Sequence, residues 1–304
     1  MKESTIKVKG DTIAVYESEG KGQAVLFVHG NSLSAETFFD QLNSELGKIY
    51  RFIAIDLPGH GKSSPASDPK KTYSLPGFAV TLANIVKKLK IEDCVLVGHS
   101  MGGNVIMEAI EYLEKPAGYF IFGAFPVTMP SEKLRHPFNQ NFPLFEKILG
   151  SFLKPAWLIS FIIQMGKMSH SHPALKIAMK TSPKDEELKE LALAFCNQNI
   201  KIGEKFFQII SSIDPNFRKY YIQNLKLGKA IHEAKLVANL ECPIAIIHGE
   251  KEPFVKLDYL QRLQIPTLWR KEVQILPSLG HSPQIENPLD FIRILSDFLE
   301  EVSK

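Results

Sequence analysis

One serine, one histidine and two nearby glutamates have the types and positions that nucleophilic catalysis requires. Ser100 lies in GHSMGG (98–103), which contains the pattern G-x-S-x-G. The apolar run CVLV precedes this pattern and the helical stretch NVIMEAIEYLE follows it, so the pattern predicts a serine on a sharp turn between a strand and a helix. The flanking glycines allow the backbone to approach without Cβ clashes. We predict that Ser100 is a nucleophile; the alternative is a glycine-rich turn with an idle serine.

A serine hydroxyl is a weak nucleophile near neutral pH and needs a base that accepts its proton. His99 is adjacent, but neighbouring side chains diverge at a tight turn. We therefore predict that the base is His281, in LPSLGHSPQIENP, which follows the last predicted strand. A carboxylate would orient the imidazole. Glu252, in HGEKEPFVK, follows another predicted strand, and Glu250 lies two residues before it.

Acyl transfer also needs backbone donors for the oxyanion that develops in the transition state. The amide of Met101 directly follows Ser100 at the predicted start of a helix. We assign the second donor to the amide of Asn31, in the loop HGNS that follows the predicted strand AVLFVH. The Asn31 side chain could also orient a substrate carbonyl. Taken alone, HGNS is equally compatible with a plain loop that caps a helix.

These residues can meet only if strands bring them to one edge of a sheet. We predict buried strands at 24–29, 51–55, 94–98, 119–123, 243–248 and 272–276. Strands that are apolar throughout and alternate with helical patterns predict a mostly parallel, doubly wound α/β sheet covered on both faces. Ligands bind outside the carboxyl ends of such strands. The first segment alternates on both sides of Gly10-Asp11, which predicts a hairpin.

A long helical segment interrupts this alternation. The strands stop near Pro126 and resume near Leu236, and the intervening residues show helical patterns without a convincing strand. Prolines divide these patterns at Pro137, Pro155, Pro173, Pro183 and Pro215. We predict an α/β core of residues 1–126 and 236–304, with a helical cap at 127–235 inserted into it.

Composition and charge exclude several classes of protein. Hydrophobic residues make up 44% and charged residues 23% of the 304 residues, as in a compact globular protein. A net charge of +3 gives no reason to expect a nucleic acid partner. PAWLISFIIQMG (155–166) is shorter than the ~20 residues that cross a bilayer, so we predict a buried helix and no integral membrane segment.

The cysteines and the N-terminal residues favour a cytoplasmic location. Cys94, Cys196 and Cys242 are far apart and odd in number, which is typical of buried thiols in a reducing compartment. The first residues, MKESTIKVKGD, lack the apolar core of a secretory signal. His170 and His172 in SHSHP have no acidic or cysteine partner at ligand spacing, so we interpret them as part of a solvated loop and predict no metal site.

Taken together, five segments resemble the α/β-hydrolase fold superfamily. They are HGNS, DLPGHGKS (56–63), GHSMGG, HGEKEPF and GHSPQIENP, and they cover the sheet on both sides of the cap. VYESEGKG, FVHGNS, DLPGHGKS and PIAIIHGEKEPFV are most similar to the α/β-hydrolase N-acyl-homoserine lactonases and small esterases. The resemblance implies that DLPGHGKS is a supporting turn despite its Asp56 and His60, and its Pro-Gly and His-Gly steps agree.

The same resemblance separates the two glutamates. Many members of the superfamily end this strand with Gly-x-x-Asp, and counting from Gly249 places Glu252 where those members have aspartate. The resemblance therefore implies a triad of Ser100, Glu252 and His281. We expect Glu250 to be solvated near Lys251.

The resemblance implies a serine hydrolase that acts through an acyl-enzyme, because related epoxide hydrolases and haloalkane dehalogenases have an aspartate in place of Ser100. We expect small ester, lactone or thioester substrates and no metal or organic cofactor. The cap is rich in Phe, Leu, Ile and Met and includes Trp157, which predicts an apolar acyl pocket.

Two alternatives remain open. The same triad could perform C–C bond hydrolysis or cofactor-free perhydrolysis, or the protein could be a ligand-binding receptor with slow hydrolysis. A lactonase should offer a polar cap group to the substrate amide, whereas LALAFC (191–196) is apolar throughout.

Overall fold

The computed structural model describes residues 1–114, 116–126, 172–226 and 233–302. Eight strands form one sheet in the order β1-β2-β4-β3-β5-β6-β7-β8. The strands are β1 (Lys2–Val8), β2 (Asp11–Glu17), β3 (Ala24–Val28), β4 (Arg51–Ile55), β5 (Val95–His99), β6 (Gly118–Phe122), β7 (Ile244–Gly249) and β8 (Gln274–Leu276). Each of the six predicted buried strands is present, with ends that lie within two residues of the predicted ones.

The sheet begins with the predicted hairpin and is parallel from β4 onward. β1 and β2 pair antiparallel, with Val8 opposite Asp11. Lys9 and Gly10 have φ values of 49° and 93°. Two successive left-handed residues match the twist of a two-residue hairpin, and glycine adopts this conformation without strain. β2 pairs antiparallel with β4, and the remaining neighbours pair parallel. The predicted α/β-hydrolase fold, with its mostly parallel sheet, is confirmed.

Helices cover the sheet and extend over one of its edges. In the described ranges the α-helices are α1 (Phe39–Leu42), α2 (Leu46–Ile49), α3 (Pro69–Thr72), α4 (Leu75–Leu89), α5 (Met101–Ala109), α6 (Pro173–Ala178), α7 (Asp185–Phe195), α8 (Ile200–Ser211), α9 (Pro215–Lys226), α10 (Glu233–Ala238), α11 (Leu257–Gln261), α12 (Pro283–Glu286) and α13 (Pro288–Val302). None of these helices has the length and apolar character that a membrane span requires.

Local sequence signals explain where the longer helices begin and end. The Ser74 hydroxyl accepts a hydrogen bond from the Gly77 amide (3.0 Å), which caps the start of α4. α4 ends at Lys90, which adopts a left-handed conformation with φ 56°. The Asn199 side chain caps α8 in the same way, by accepting from the Ile202 amide.

The side chains of the central strands alternate between two hydrophobic clusters. Leu26 and Val28 of β3 belong to the cluster that contains residues of α4 and α5. Val25 and Phe27 belong to the opposite cluster, which contains residues of α1 and α13. All four side chains are fully buried. The sheet is therefore covered on both faces, and in such sheets ligands bind outside the carboxyl ends of the strands.

The described part of the predicted cap packs onto that edge. A third hydrophobic cluster joins residues of α6, α7 and α8 to Leu33, which follows β3, and to Phe254, which follows β7. The predicted helical patterns at 142–153 and 156–168, with Trp157, lie outside the described residues. α10 spans the predicted end of the cap and packs against α5. The division into core and cap at 127–235 stays a prediction.

Candidate active site

Ser100 lies on a strained turn between β5 and α5. Its φ of 51° and ψ of −122° are unusual for a residue other than glycine. The Ser100 amide donates to the carbonyl oxygen of Phe122 in β6 (2.9 Å), and the Ser100 carbonyl accepts from the Gly103 amide (2.9 Å). The side chain is partly exposed. The serine thus has the strand–turn–helix context that the G-x-S-x-G pattern requires.

The loop after β3 lies directly against this turn. A Cβ on Gly30 would lie 3.1 Å from Ser100 Cβ, and a Cβ on Gly102 would lie 2.2 Å from the carbonyl oxygen of Val28. The approach at Gly102 excludes a Cβ, and the approach at Gly30 leaves very little space for one. In the part of the chain that the structure describes, neither the Asn31 nor the Met101 backbone amide donates a hydrogen bond. Neither amide therefore has its donor capacity used within these residues.

His281 and Glu252 form a buried pair at the same edge of the sheet. His281 Nδ1 lies 2.8 Å from Glu252 Oε2, and both side chains are almost completely buried. Glu252 Oε1 accepts from the Phe254 amide (2.8 Å). Burial alone would raise the pKa of Glu252, but the charge and hydrogen bond of His281, together with the Phe254 amide, outweigh it and lower that pKa. Glu252 is thus held as a carboxylate.

The other nitrogen of this imidazole is left without a partner. His281 Nε2 is buried and makes no hydrogen bond among the described residues. Gly123 follows β6 with φ 60°, and a Cβ there would lie 3.0 Å from His281 Cε1. His281 therefore packs beside the end of β6, whose Phe122 holds the Ser100 amide. Since Nδ1 donates to Glu252, Nε2 of the neutral ring is an acceptor for a proton from a hydroxyl.

The two glutamates of HGEKEPF occupy different environments, as expected. Glu250 is exposed, whereas Glu252 is buried. We expected Glu250 to lie near Lys251, but its Oε2 accepts a hydrogen bond from the Ser278 amide (2.8 Å). Ser278 has φ 62°, in the loop that leads to His281. Glu250 therefore supports this loop rather than contacting the imidazole.

His99 holds the backbone of His281 by a hydrogen bond instead of acting as the base. Its side chain is fully buried, and its Nε2 donates to the carbonyl oxygen of His281 (2.9 Å). The ring stacks on Phe122 at a centroid distance of 4.9 Å. Burial lowers the pKa of His99 well below its usual value, and the nearby His281 lowers it further. A neutral donor that holds the backbone of His281 fits the expectation that His99 is not the base.

Asp56 and His60 have structural contacts. Asp56 Oδ1 accepts from the Ala35 amide (2.7 Å), and Oδ2 accepts from the Lys62 amide (2.8 Å). His60 is buried, and its Nδ1 donates to the Pro58 carbonyl (3.1 Å). These contacts join DLPGHGKS to the loop that follows β3, in agreement with a supporting turn.

Three residues near His281 were not predicted from the sequence. The Phe195 ring stacks on the imidazole at a centroid distance of 5.4 Å, and Phe254 packs edge-on at 4.7 Å. Glu286 accepts from the Gly280 and Ser282 amides and so fixes the loop on both sides of His281. Phe254 lies in HGEKEPF and Glu286 lies in GHSPQIENP, two of the segments that resemble the superfamily. Phe195 is 86 residues away in sequence, and its apolar surroundings give no signal of this contact.

The predicted histidine loop forms no metal site in the described residues. His170 lies outside these residues. His172 Nδ1 accepts from the Ala174 amide (3.1 Å) at the start of α6, and its ring packs edge-on against Phe254. Within the described ranges, no three His, Cys, Asp or Glu side chains come together as metal ligands would.

Comparisons with known proteins agree with this architecture. The model of the alpha/beta hydrolase fold family matches residues 23–288. The chain is 40% identical over 295 residues to the non-heme chloroperoxidase CPO-A1 of Kitasatospora aureofaciens, and the match covers 95% of each chain. It is 24% identical over 272 residues to the AB hydrolase superfamily protein YisY of Bacillus subtilis (strain 168), with 85% of each chain covered.

Solved structures give the same result. A serine-to-glycine variant of the N-acyl homoserine lactonase AidH, complexed with N-hexanoyl homoserine lactone, superimposes with a TM-score of 0.84 at 28% identity, over 99% of this chain and 98% of that one. The esterase RhEst1 from Rhodococcus sp. ECU1013 shares the fold with a TM-score of 0.73 at 21% identity, over 99% and 98% of the two chains. The family match spans most of the sequence, and the chain therefore belongs to the alpha/beta hydrolase fold family.

Proposed function

We propose that this protein is a serine hydrolase that cleaves carboxylic esters or lactones through an acyl-enzyme on Ser100. The observation that carries the proposal is the buried pair of Glu252 and His281, at the edge of the sheet where the Ser100 turn lies. His281 Nε2 has no hydrogen-bond partner among the described residues. A base with one nitrogen held by a carboxylate and the other unpartnered is the arrangement that activates a serine.

Each proposed step uses groups of this chain. His281 Nε2 accepts the Ser100 proton while the hydroxyl oxygen attacks the substrate carbonyl, and the amides of Asn31 and Met101 bind the oxyanion. The tetrahedral intermediate collapses, and His281 gives the proton to the leaving alkoxide. Water, deprotonated by His281, then attacks the acyl-enzyme and releases the acid. Glu252 holds the tautomer of His281 and stabilises its protonated form. These steps need no metal and no organic cofactor.

The substrate class follows from the surroundings of the imidazole and from the relatives. Phe195 and Phe254 give His281 an apolar environment, which suits an acyl group with few polar atoms. AidH, a structural relative at 28% identity, is an N-acyl homoserine lactonase, and its serine-to-glycine variant was solved with N-hexanoyl homoserine lactone. We infer that acyl-homoserine-lactone-like compounds are the first substrates to try, and that small neutral esters are the second.

The decisive experiment measures product release by wild type and Ser100→Ala. With p-nitrophenyl butyrate in excess, wild type should release a burst of about one p-nitrophenol per protein, followed by steady turnover. Ser100→Ala should show no burst and a loss of about 10³-fold or more in kcat/KM. Proton release from N-hexanoyl homoserine lactone separates a lactonase from a general esterase. Equal rates for both proteins would overturn the acyl-enzyme and favour a ligand-binding receptor.

Perhydrolysis is a second candidate, because the relative at 40% identity over 95% of both chains is a non-heme chloroperoxidase. In this reaction hydrogen peroxide replaces water: its oxygen attacks the acyl-enzyme, the bond to Ser100 breaks, and a peracid leaves. The test adds peroxide to an ester reaction and measures peracid directly. Peracid that exceeds the acid product, and that is lost in Ser100→Ala, would make the protein a perhydrolase; acid alone would leave it an esterase.

A further inference from the structure

Arg218 is a buried cation without a counterion among the described residues. It lies in α9 with only 6% of its surface exposed. Both Nη1 and Nη2 lack a hydrogen-bond partner in the part of the chain that the structure describes. Burial lowers the pKa of the guanidinium to about 10, and no carboxylate of those residues opposes this change. The group nevertheless remains charged at neutral pH.

A charged group in this position points to a missing partner. Burial of a charge without a partner is unfavourable, and buried polar groups of folded proteins are nearly always hydrogen-bonded. Two other buried ionic groups around the site follow this rule: Asp56 accepts from two amides, and Glu252 pairs with His281. Within the described ranges, Arg218 departs from it, because Nη1 and Nη2 have no hydrogen-bond partner there. A ligand that supplies an anion would remove the cost.

A chain of contacts connects α9, the helix that contains Arg218, to the Ser100 turn. Phe217, the neighbour of Arg218 in α9, packs against the His60 ring at a centroid distance of 4.3 Å. The His60 and His29 rings are 4.9 Å apart between centroids. His29 Nδ1 donates to the Gly30 carbonyl (2.9 Å), and Gly30 contacts the Ser100 turn. With Phe217 and His60, Arg218 therefore belongs to a layer of buried side chains that packs against the loop after β3. Phe195 lies on the other side of the Ser100 turn, at His281.

His60 adds a second unpartnered group to this layer. It is almost completely buried, and its Nε2 makes no hydrogen bond among the described residues. Because Nδ1 donates to the Pro58 carbonyl, Nε2 of the neutral ring is an acceptor. Burial, then His29 and Arg218, lower the pKa of His60 well below its usual value. Because burial is the largest of these causes, His60 stays neutral and adds no second positive charge beside Arg218.

We propose that Arg218 binds a carboxylate at the far end of the acyl chain, so that the preferred substrates are half-esters of dicarboxylic acids or lactones that carry a carboxylate. The inference rests on the proposed function, because it requires the ester group of the same substrate to bind at Ser100. A carboxylate matches the planar guanidinium with two parallel hydrogen bonds. Its single negative charge balances Arg218, whereas a phosphate dianion would bring an excess of negative charge into a buried layer.

Binding without turnover gives the direct test. In the Ser100→Ala background, calorimetry at pH 7.5 compares the monomethyl esters of succinic, adipic and suberic acids with the matching dimethyl esters. At least one half-ester should bind about 10-fold or more tightly than its diester. Adding Arg218→Met should abolish this preference, and adding Lys219→Met, which removes the neighbouring exposed cation of α9, should leave it unchanged.

Two results would overturn the proposal: no half-ester binds more tightly than its diester, or the preference survives Arg218→Met. Butyl phosphate that binds as tightly as the best half-ester would overturn the choice of a carboxylate. Arg218→Met should fold with an unchanged or higher Tm, since it removes a buried charge that has no ion-pair partner in the described part of the chain. A marked fall in Tm would show that the guanidinium has a structural role instead. Arg218→Lys should keep part of the preference, because it retains charge but not the planar fork.

Hydrolysis separates this inference from the proposed function. Wild type should show a higher kcat/KM for the half-ester than for the diester, and Arg218→Met should reverse that order. If wild type binds the half-esters selectively but hydrolyses no ester, the serine hydrolase proposal fails while the carboxylate site stands. If it hydrolyses neutral esters but shows no binding preference, the carboxylate site fails while the hydrolase proposal stands.

Discussion

The Glu252 carboxylate has two different partners, and this division determines its role. One oxygen accepts from the Phe254 amide, which fixes the direction of the carboxylate, and the other receives Nδ1–H of His281. An amide in place of the carboxylate could satisfy one of these contacts but would carry no charge to stabilise a protonated imidazole. The orientation of the His281 ring and the negative charge that stabilises its protonated form therefore both depend on Glu252.

We expect Glu252→Gln to lower kcat by about 10³- to 10⁴-fold, as the loss of the carboxylate in a serine triad does. Steady-state hydrolysis of a p-nitrophenyl ester measures the effect. Glu250→Gln is the matched control, because glutamine keeps an oxygen that can accept from the Ser278 amide. It should retain nearly full activity. Equal losses in the two variants would contradict the assignment of Glu252 as the acid of the triad.

Sequence patterns identified the residues whose role depends on local context and missed those whose role depends on distant contacts. Ser100 could be predicted because strand, glycines and helix surround it in one short segment. Glu252 was separated from Glu250 only by resemblance, since both follow the same strand. Phe195 and Arg218 lie in apolar or mixed helical stretches. Their contacts depend on how those helices pack, which periodicity does not determine.

The helix α7, which lies outside the sheet, packs the Phe195 ring against His281. Phe195 lies at its last residue and is 5% exposed, packed between His281 and Phe254. Leu188, Leu191 and Ala192 bury the same face of the helix. LALAFC offers no polar group to a substrate amide, and its apolar character has a structural cause: this face of α7 covers the imidazole.

Phe195→Ala should lower kcat/KM about 10-fold or more, because it opens His281 to water and leaves the ring free to reorient. A buried phenylalanine replaced by alanine also costs about 3–5 kcal/mol of unfolding free energy, so urea denaturation must accompany the kinetics. Phe207→Ala serves as the control, since Phe207 is partly exposed in α8. A stability loss in Phe195→Ala with unchanged kcat/KM would show that the ring supports the cap and not the site.

The core elements were easier to predict than the helices above them. The apolar runs of β3, β5 and β7 are long enough to be recognised as strands in the sequence. Because the motif residues directly follow these strands, the three loops that contain them could be placed at one edge of the sheet. The short β8 began two residues later than predicted, because only Gln274–Leu276 pairs with β7. In the cap, α7 and α8 lie where the patterns at DEELKELALAFCNQ and GEKFFQIISSI predict helices. Their position over the site could not be predicted from amphipathicity, because the pattern shows which face of a helix is buried but not which surface it packs against.

Three fully or almost fully buried histidines link the stability of the fold to pH. His29, His60 and His99 are all buried around the candidate site. Burial is the largest cause that lowers the pKa of each one, and for His60 and His99 the pKa falls well below the usual value. The folded protein therefore binds these protons more weakly than the unfolded chain does. Their contribution to stability is fully present above the unfolded pKa near 6.5 and is lost as pH falls toward the folded values.

The free energy of unfolding should consequently decrease with acid in a window that begins near pH 6.5. Each histidine adds a slope of up to about 1.4 kcal/mol per pH unit, so the three together reach up to about 4 kcal/mol per unit. Urea denaturation at pH 8.0, 7.0, 6.0 and 5.5 measures the slope. His99→Gln, whose side-chain nitrogen can still donate to the His281 carbonyl, should reduce it by about a third. An identical slope in wild type and His99→Gln would show that His99 releases no proton on folding.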